Sequence, residues 1–87
     1  MTVTRDGATI RLQGRCRVED AEPLASLLHA TPGLIVDLGD CEGLHAAVVQ
    51  ALLAFAPKVV GIPSDPVLRD LILPLLAGER QRRQRPI

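Results

Sequence analysis

Two side chains with the chemistry of a catalytic or metal site, Cys41 and His45, lie four residues apart before an apolar helix pattern. A helix N-terminus can lower the pKa of a thiol, so this spacing allows a Cys–His nucleophile. With Cys16 added, the same residues suggest a small metal or ligand site. Both kinds of site need fixed partners and a cleft, and this spacing also arises by chance. We therefore predict no catalytic and no metal-binding residues, and keep a small-molecule or metal-binding domain as the alternative function.

The sequence carries no motif of the common enzyme classes. The glycine-flanked segment 39–43 lacks the lysine and the hydroxyl residue with which a phosphate-binding loop holds a nucleotide. Neither a dinucleotide fingerprint nor a Ser–His–Asp signature occurs. These observations predict a protein that is not an enzyme and that uses no cofactor.

Charge is distributed unevenly along the chain, although ten basic and ten acidic residues leave no net charge. Four arginines, Arg80, Arg82, Arg83 and Arg85, lie in the last eight residues. A basic tail could contact nucleic acid, but no aromatic residue lies among these arginines to stack on a base. We therefore expect residues 79–87 to form an arginine-rich, flexible tail, and we do not predict nucleic-acid binding.

A length of 87 residues allows a single domain, which we place at residues 1–78. The hydrophobic content of 47% is typical of a globular chain. No apolar run approaches the roughly 20 residues of a membrane span, and the first residues contain no apolar signal region. These features predict a cytoplasmic protein without a membrane span, in which both cysteines stay reduced.

Hydrophobic periodicity predicts the elements that must position these side chains. Asp6-Gly7 between β-branched residues predicts a hairpin, and residues 8–13 alternate as a strand that Gly14 ends. The apolar run 34–38 predicts a central strand that is buried on both faces and has parallel neighbours. A further strand is predicted at 58–62. Apolar residues at helical spacing predict a helix that includes 21–28, a second from 44 or 45 to 56, and a third at 66–76.

The third helix has clear start and stop signals. Asp65 is its predicted N-cap, Pro66 its first residue, and Pro74 is expected to kink or end it. The resulting order, β-β-α-β-α-β-α, predicts a mainly parallel sheet covered by helices. Ligands of such sheets gather beyond the carboxyl ends of the strands. The residues expected in that region are Cys16, Asp40, Cys41, Glu42, His45, Ser64 and Asp65.

Three strings of the sequence resemble the STAS family, the domain of bacterial anti-sigma factor antagonists and of sulfate-transporter tails. Residues 10–14 resemble its strand that ends in glycine, and residues 34–38 resemble its central strand with Asp-Leu at the end. Residues 41–53 resemble its segment of an apolar pair, Asp-Ser-Ser-Gly and an apolar helix. The resemblance covers about residues 2–76. It implies a STAS-like α/β fold with a mixed, mainly parallel sheet of four to five strands and three to four helices.

The sequence departs from the STAS pattern where family members are phosphorylated. His45 stands in place of the aspartate of the family, and Ala46 and Ala47 replace its two serines. Because alanine has no hydroxyl group to accept phosphate, the resemblance implies a docking surface without the regulated serine. We expect Asp40, Glu42, His45 and Ala46 to contact a protein partner.

The resulting hypothesis is a non-catalytic protein-interaction module of a bacterial signalling or partner-switching system linked to transcription regulation. The resemblance implies a kinase or an anti-sigma factor as its partner. A homodimer is a further hypothesis, because a small sheet cannot cover every apolar residue of the third helix. Those residues are Leu68, Leu71, Ile72, Leu75 and Leu76.

Overall fold

The computed structural model of the protein describes residues 2–84. Its strands are β1 Val3–Asp6, β2 Thr9–Leu12, β3 Gly14–Cys16, β4 Ile35–Asp37, β5 Cys41–Leu44 and β6 Lys58–Val60, and its helices are α1 Ala21–Ala30, α2 Ala46–Phe55 and α3 Leu73–Arg83. Four strands form one sheet in the order β1-β2-β4-β6, and β3 pairs with β5 in a second sheet. All pairs except β1–β2 are parallel. The predicted α/β fold with a mixed, mainly parallel sheet is therefore confirmed.

The hairpin predicted at Asp6-Gly7 is also confirmed. Strands β1 and β2 pair antiparallel along their whole length. Gly7 has a φ of 61°, a left-handed conformation that glycine adopts without steric cost. Alternation along β2 places Ile10 and Leu12 in the core with no solvent exposure and leaves Arg11 exposed.

The helices lie together on one face of the four-stranded sheet. From β2 through β4 to β6 the sheet grows in a single direction, so right-handed crossovers place both connecting helices on the same side. Helix α3 packs against α2 and β6. Val36 of β4 is consequently fully buried, whereas Ile35 and Asp37 on the opposite face are only half-buried. The prediction that this strand is buried on both faces is wrong, because helices cover one face only.

The small second sheet is absent from the predicted element order. Gly14 was expected to end a strand, but with a φ of 69° it redirects the chain so that β3 leaves β2 and pairs with β5. The Gly14 N–H donates to the Asp40 carbonyl at 2.9 Å, and the His45 N–H donates to the Cys16 carbonyl at 2.8 Å. Strands this short show no clear alternation of apolar and polar residues, so periodicity does not reveal them.

The expectation that Pro74 kinks or ends the third helix is wrong as to the end, because the helix continues to Arg83. The preceding residues Leu68–Ile72 form a π-helical turn, in which the Leu73 N–H donates to the Leu68 carbonyl. Pro74 follows in the first turn of α3. A π-turn inserts one extra residue into the helix. The changed hydrogen-bond pattern makes space for the proline ring and accommodates a residue that has no N–H to donate.

The segment expected to be a tail is helical as far as Arg83. Arg80 donates to the Ala56 carbonyl at 3.0 Å, and Arg83 donates to the carbonyls of Ala54 at 2.6 Å and Leu53 at 3.1 Å. These bonds join the end of α3 to the end of α2, so residues 79–83 belong to the folded unit. Residues 85–87, with the last arginine of the predicted tail, lie outside the described residues.

Candidate functional site

A groove of about 650 Å³ lies where β3 and β5 end. One wall consists of these strand ends and the turn that follows β3, and the other consists of the residues that lead into α3. We call it the carboxyl-end groove. Its apolar lining comes from Val18, Leu44, Val67, Leu68 and Ile72, and its charged or polar lining from Arg15, Arg17, Glu19, Glu42, His45 and Asp65.

The structure places two of the four predicted partner-binding residues in this groove. Glu42 and His45 line it and are not buried. Asp40 and Ala46 are exposed but do not line it: Asp40 is in the turn before β5, and Ala46 is the first residue of α2. Of the wider set expected at the carboxyl ends, the groove lining contains Cys16, Glu42, His45 and Asp65, but not Asp40, Cys41 or Ser64.

His45 is held in place by the start of α2. It is the N-cap residue, in extended conformation, and its Nδ1 accepts a hydrogen bond from the Ala47 N–H at 3.0 Å. An N-cap acceptor satisfies one of the free N–H groups of a helix start. The imidazole therefore presents only its Nε2 to a partner in the groove, with Nδ1 engaged in the cap.

Both cysteines are buried, Cys16 in the lining of the groove and Cys41 outside it. Cys16 is 3% exposed and Cys41 is 1% exposed, and the Cys41 thiol donates to the Gly43 carbonyl at 3.5 Å. The hydrogen bond between the two thiols lowers the pKa of Cys41. The same hydrogen bond, together with burial, raises the pKa of the Cys16 thiol far above its ordinary value, so that Cys16 keeps its proton. A thiol that keeps its proton is a poor nucleophile and a poor metal ligand. Residues 2–84 contain no group of three or more His, Cys, Asp or Glu side chains that could hold a metal ion.

Two aspartates fix the walls of the groove. The Asp20 carboxylate accepts from the Thr2 hydroxyl at 2.6 Å and from the Arg17 N–H at 2.7 Å, which lowers the pKa of Asp20. This holds the 3₁₀ turn Val18–Asp20 against Thr2, the residue before β1. On the other wall, Asp65 accepts from the Leu68 N–H at 3.0 Å, so its predicted role as helix N-cap is confirmed.

Sequence reasoning missed the most exposed apolar residues of the site. Val18 is 55% exposed and Val67 is 58% exposed, one on each wall. Val67 lies in the third predicted helix, and the structure buries some apolar residues of that helix and exposes others. Leu68 and Leu76 are buried, whereas Leu71 and Leu75 are exposed, as is Val67, and these three exposed residues follow one another at a spacing of four. That spacing was visible in the sequence, but it does not tell which apolar stripe faces the core.

Comparisons with protein-family models, with curated proteins and with solved structures give no match to this chain. The STAS resemblance therefore stays a prediction that rests on the strings quoted above. None of the helices within residues 2–84 has the length and the apolar character needed to cross a membrane.

Proposed function

We propose that the protein is a non-catalytic protein-interaction module of a bacterial signalling or partner-switching system, with a STAS-like domain. The observation that carries this proposal is the pair of exposed valines, Val18 and Val67, on opposite walls of the carboxyl-end groove. An exposed apolar cluster with a polar rim is typical of a surface that a partner covers.

The rim of the groove carries charges of both signs. Arg15 and Arg17 lie on the β3 side, Glu42 lies on the neighbouring strand β5, and Asp65 lies on the opposite wall. A mixed rim selects the orientation of a partner, because each charge favours one register and disfavours the others. A protein surface with its own pattern of charges fits such a rim better than a uniformly charged polymer does.

The start of α2 supports an interaction that phosphorylation of this helix start does not regulate. Ala46 and Ala47 occupy the first two positions of the helix, and neither has a hydroxyl group. In the STAS resemblance these positions correspond to the regulated serines. We therefore propose a module that binds its partner, a kinase or an anti-sigma factor, without a phosphate switch at this position.

A small-molecule ligand is the second candidate function, favoured by the size of the groove. Its volume of about 650 Å³ is within the range of ligand-binding pockets. A ligand that fills it would raise the melting temperature of the domain, since binding to the folded state alone adds stability. A metabolite that stabilises the native protein but not a Val67→Glu variant would favour this candidate.

The test measures the affinity of a purified partner for the native protein and for groove variants. The immobilised domain first captures candidate partners from a lysate of the source organism, and each candidate is then purified and titrated directly. Val67→Glu and Glu42→Lys are each expected to weaken binding by about tenfold, because one places a charge in the apolar centre and the other reverses a rim charge.

Glu22→Lys is the matched control, since Glu22 is exposed on α1 and lies outside the groove lining. It should leave the affinity within about twofold of the native value. Circular dichroism should show the same helix content for all variants. If a purified partner binds the groove variants and the native protein equally, the proposed surface is wrong.

A further inference from the structure

A second groove, of about 500 Å³, runs between the edge strand β6 and helix α3. We call it the β6 groove. Within residues 2–84, β6 pairs only with β4, so its other side is an open sheet edge. The floor is apolar and is formed mainly by Val59, Leu73 and Leu76. An open strand edge beside an apolar groove is the arrangement to which extended peptides add as an extra strand.

Backbone geometry shows which groups this edge offers. The Leu38 N–H donates to the Val60 carbonyl at 2.9 Å, so the polar backbone groups of Val60 point toward β4. Successive residues of a strand point their backbone groups to opposite sides, so the N–H and carbonyl of Val59 point outward. One residue of an antiparallel peptide can exchange two hydrogen bonds with Val59.

Charge in the β6 groove has a single sign. Its charged lining residues are Lys58, at the start of β6, and Arg80, on α3, and no Asp or Glu belongs to the part of the lining that the structure describes. Arg80 uses one N–H to bind the Ala56 carbonyl and has four more. This end of the groove therefore favours a carboxylate.

The same charges disfavour a second copy of this chain as the occupant. Antiparallel pairing of two β6 strands would place residues 60–62 of one copy, which contain no carboxylate, beside Lys58 and Arg80 of the other. A lysine on an edge strand is also a common guard against such pairing. We infer that the β6 groove binds an extended segment of another protein, antiparallel to β6, with a carboxylate beside Lys58 and Arg80 and an apolar side chain over Leu73 and Leu76.

The test uses fluorescein-labelled six-residue peptides of alternating threonine and valine. One has a free carboxyl terminus, a second is amidated and ends in glutamate, and a third is amidated and ends in glutamine. Fluorescence anisotropy gives the affinity, and amide NMR spectra of the protein give the site. We expect the two carboxylate peptides to bind at least about fivefold more tightly than the glutamine peptide. Comparison of the first two identifies the preferred source of the carboxylate.

Two protein variants test whether the peptides bind in the β6 groove. Lys58→Glu should weaken binding of the carboxylate peptides by about tenfold, because attraction becomes repulsion. Ala77→Glu, at an exposed α3 position in the groove, should weaken it in the same direction. Arg5→Glu on the opposite edge strand is the matched control and should leave affinity unchanged. Hydrogen exchange of the Val59 amide should slow on binding.

The inference is overturned if none of the three peptides perturbs the Val59 amide at about 1 mM, the weakest affinity that would still count as binding. It is also overturned if the perturbed amides belong to β1, or if the glutamine peptide binds as tightly as the others. A Val67→Glu variant should bind these peptides normally, so failure of this inference and failure of the proposed function give different results.

Discussion

At the scale of single residues, two backbone segments approach each other closely beyond the ends of β4 and β6. The Asp37 carboxylate accepts from the Gly39 N–H at 2.8 Å and closes a turn. Gly61 lies against this turn with a φ of 82°. A Cβ on Gly61 would lie 2.6 Å from the Gly39 nitrogen and 2.9 Å from its Cα. This position therefore requires glycine for both its backbone conformation and its space.

Gly61→Ala is expected to destabilise the protein by about 2 kcal/mol or more, because the left-handed backbone and the clash add up. Gly78→Ala is the matched control with the opposite sign. Gly78 lies inside α3, and a Cβ there would have open space for 4 Å around it, so alanine should add about 0.5–1 kcal/mol. Urea unfolding of both variants measures the changes. Equal effects of the two substitutions would contradict this account.

At the scale of elements, arginines of α3 bind the last carbonyls of α2. The final carbonyls of a helix have no partner inside it and carry the negative end of its dipole, so a cation there stabilises them. Arg83 donates hydrogen bonds to two of these carbonyls, those of Leu53 and Ala54, and it also forms an ion pair with Glu79 at 3.1 Å. Arg82 pairs with Glu79 alone among the described contacts. Neighbouring arginines thus have different roles.

Arg83→Ala should destabilise the protein by about 1 kcal/mol, because two charge-assisted hydrogen bonds are lost from a half-exposed site. Arg82→Ala removes the same charge but no contact with α2, and we expect a change below about 0.5 kcal/mol. Thermal and urea unfolding of the two variants test the difference. A change for Arg82→Ala as large as for Arg83→Ala would mean that charge, and not the bonds to α2, determines the effect.

At the scale of the whole molecule, a core of aliphatic side chains supports a small domain. Leu52 of α2 has no solvent exposure, and it packs in one cluster with Val36 and Leu38. The single aromatic residue, Phe55, lies outside this cluster at 38% exposure and meets the His29 ring edge-on at a centroid distance of 6.4 Å. In a chain of this length, a few kcal/mol is a large share of the total stability.

Leu52→Ala is expected to cost about 3 kcal/mol, because it leaves a cavity in the centre of the core. Phe55→Ala removes a larger side chain but should cost only about 1 kcal/mol, since the ring is partly in solvent and makes one edge contact. Denaturant midpoints of both variants provide the measurement. A larger loss for Phe55→Ala than for Leu52→Ala would show that the ring stabilises the fold more than its exposure indicates.

The sequence by itself determined the elements that have a strong local signal. Alternation in residues 8–13, the Asp6-Gly7 turn and the Asp65 N-cap depend on neighbouring residues only, and each is confirmed. The parallel placement of β4 follows from alternating strands and helices, and it is confirmed as well. Local backbone preferences and periodicity suffice for these features.

Tertiary structure decided the features that depend on contacts between distant segments. Three such features are the β3–β5 sheet, the helix that continues past Pro74 and the burial of only one face of β4. Each depends on which other segments pack against it. The candidate site divides in the same way. The order of elements predicted a site at the carboxyl ends of the strands. It did not predict that Val18 and Val67 are exposed or that both cysteines are buried. Exposure depends on packing between segments that are far apart along the chain, and periodicity within one segment does not report it.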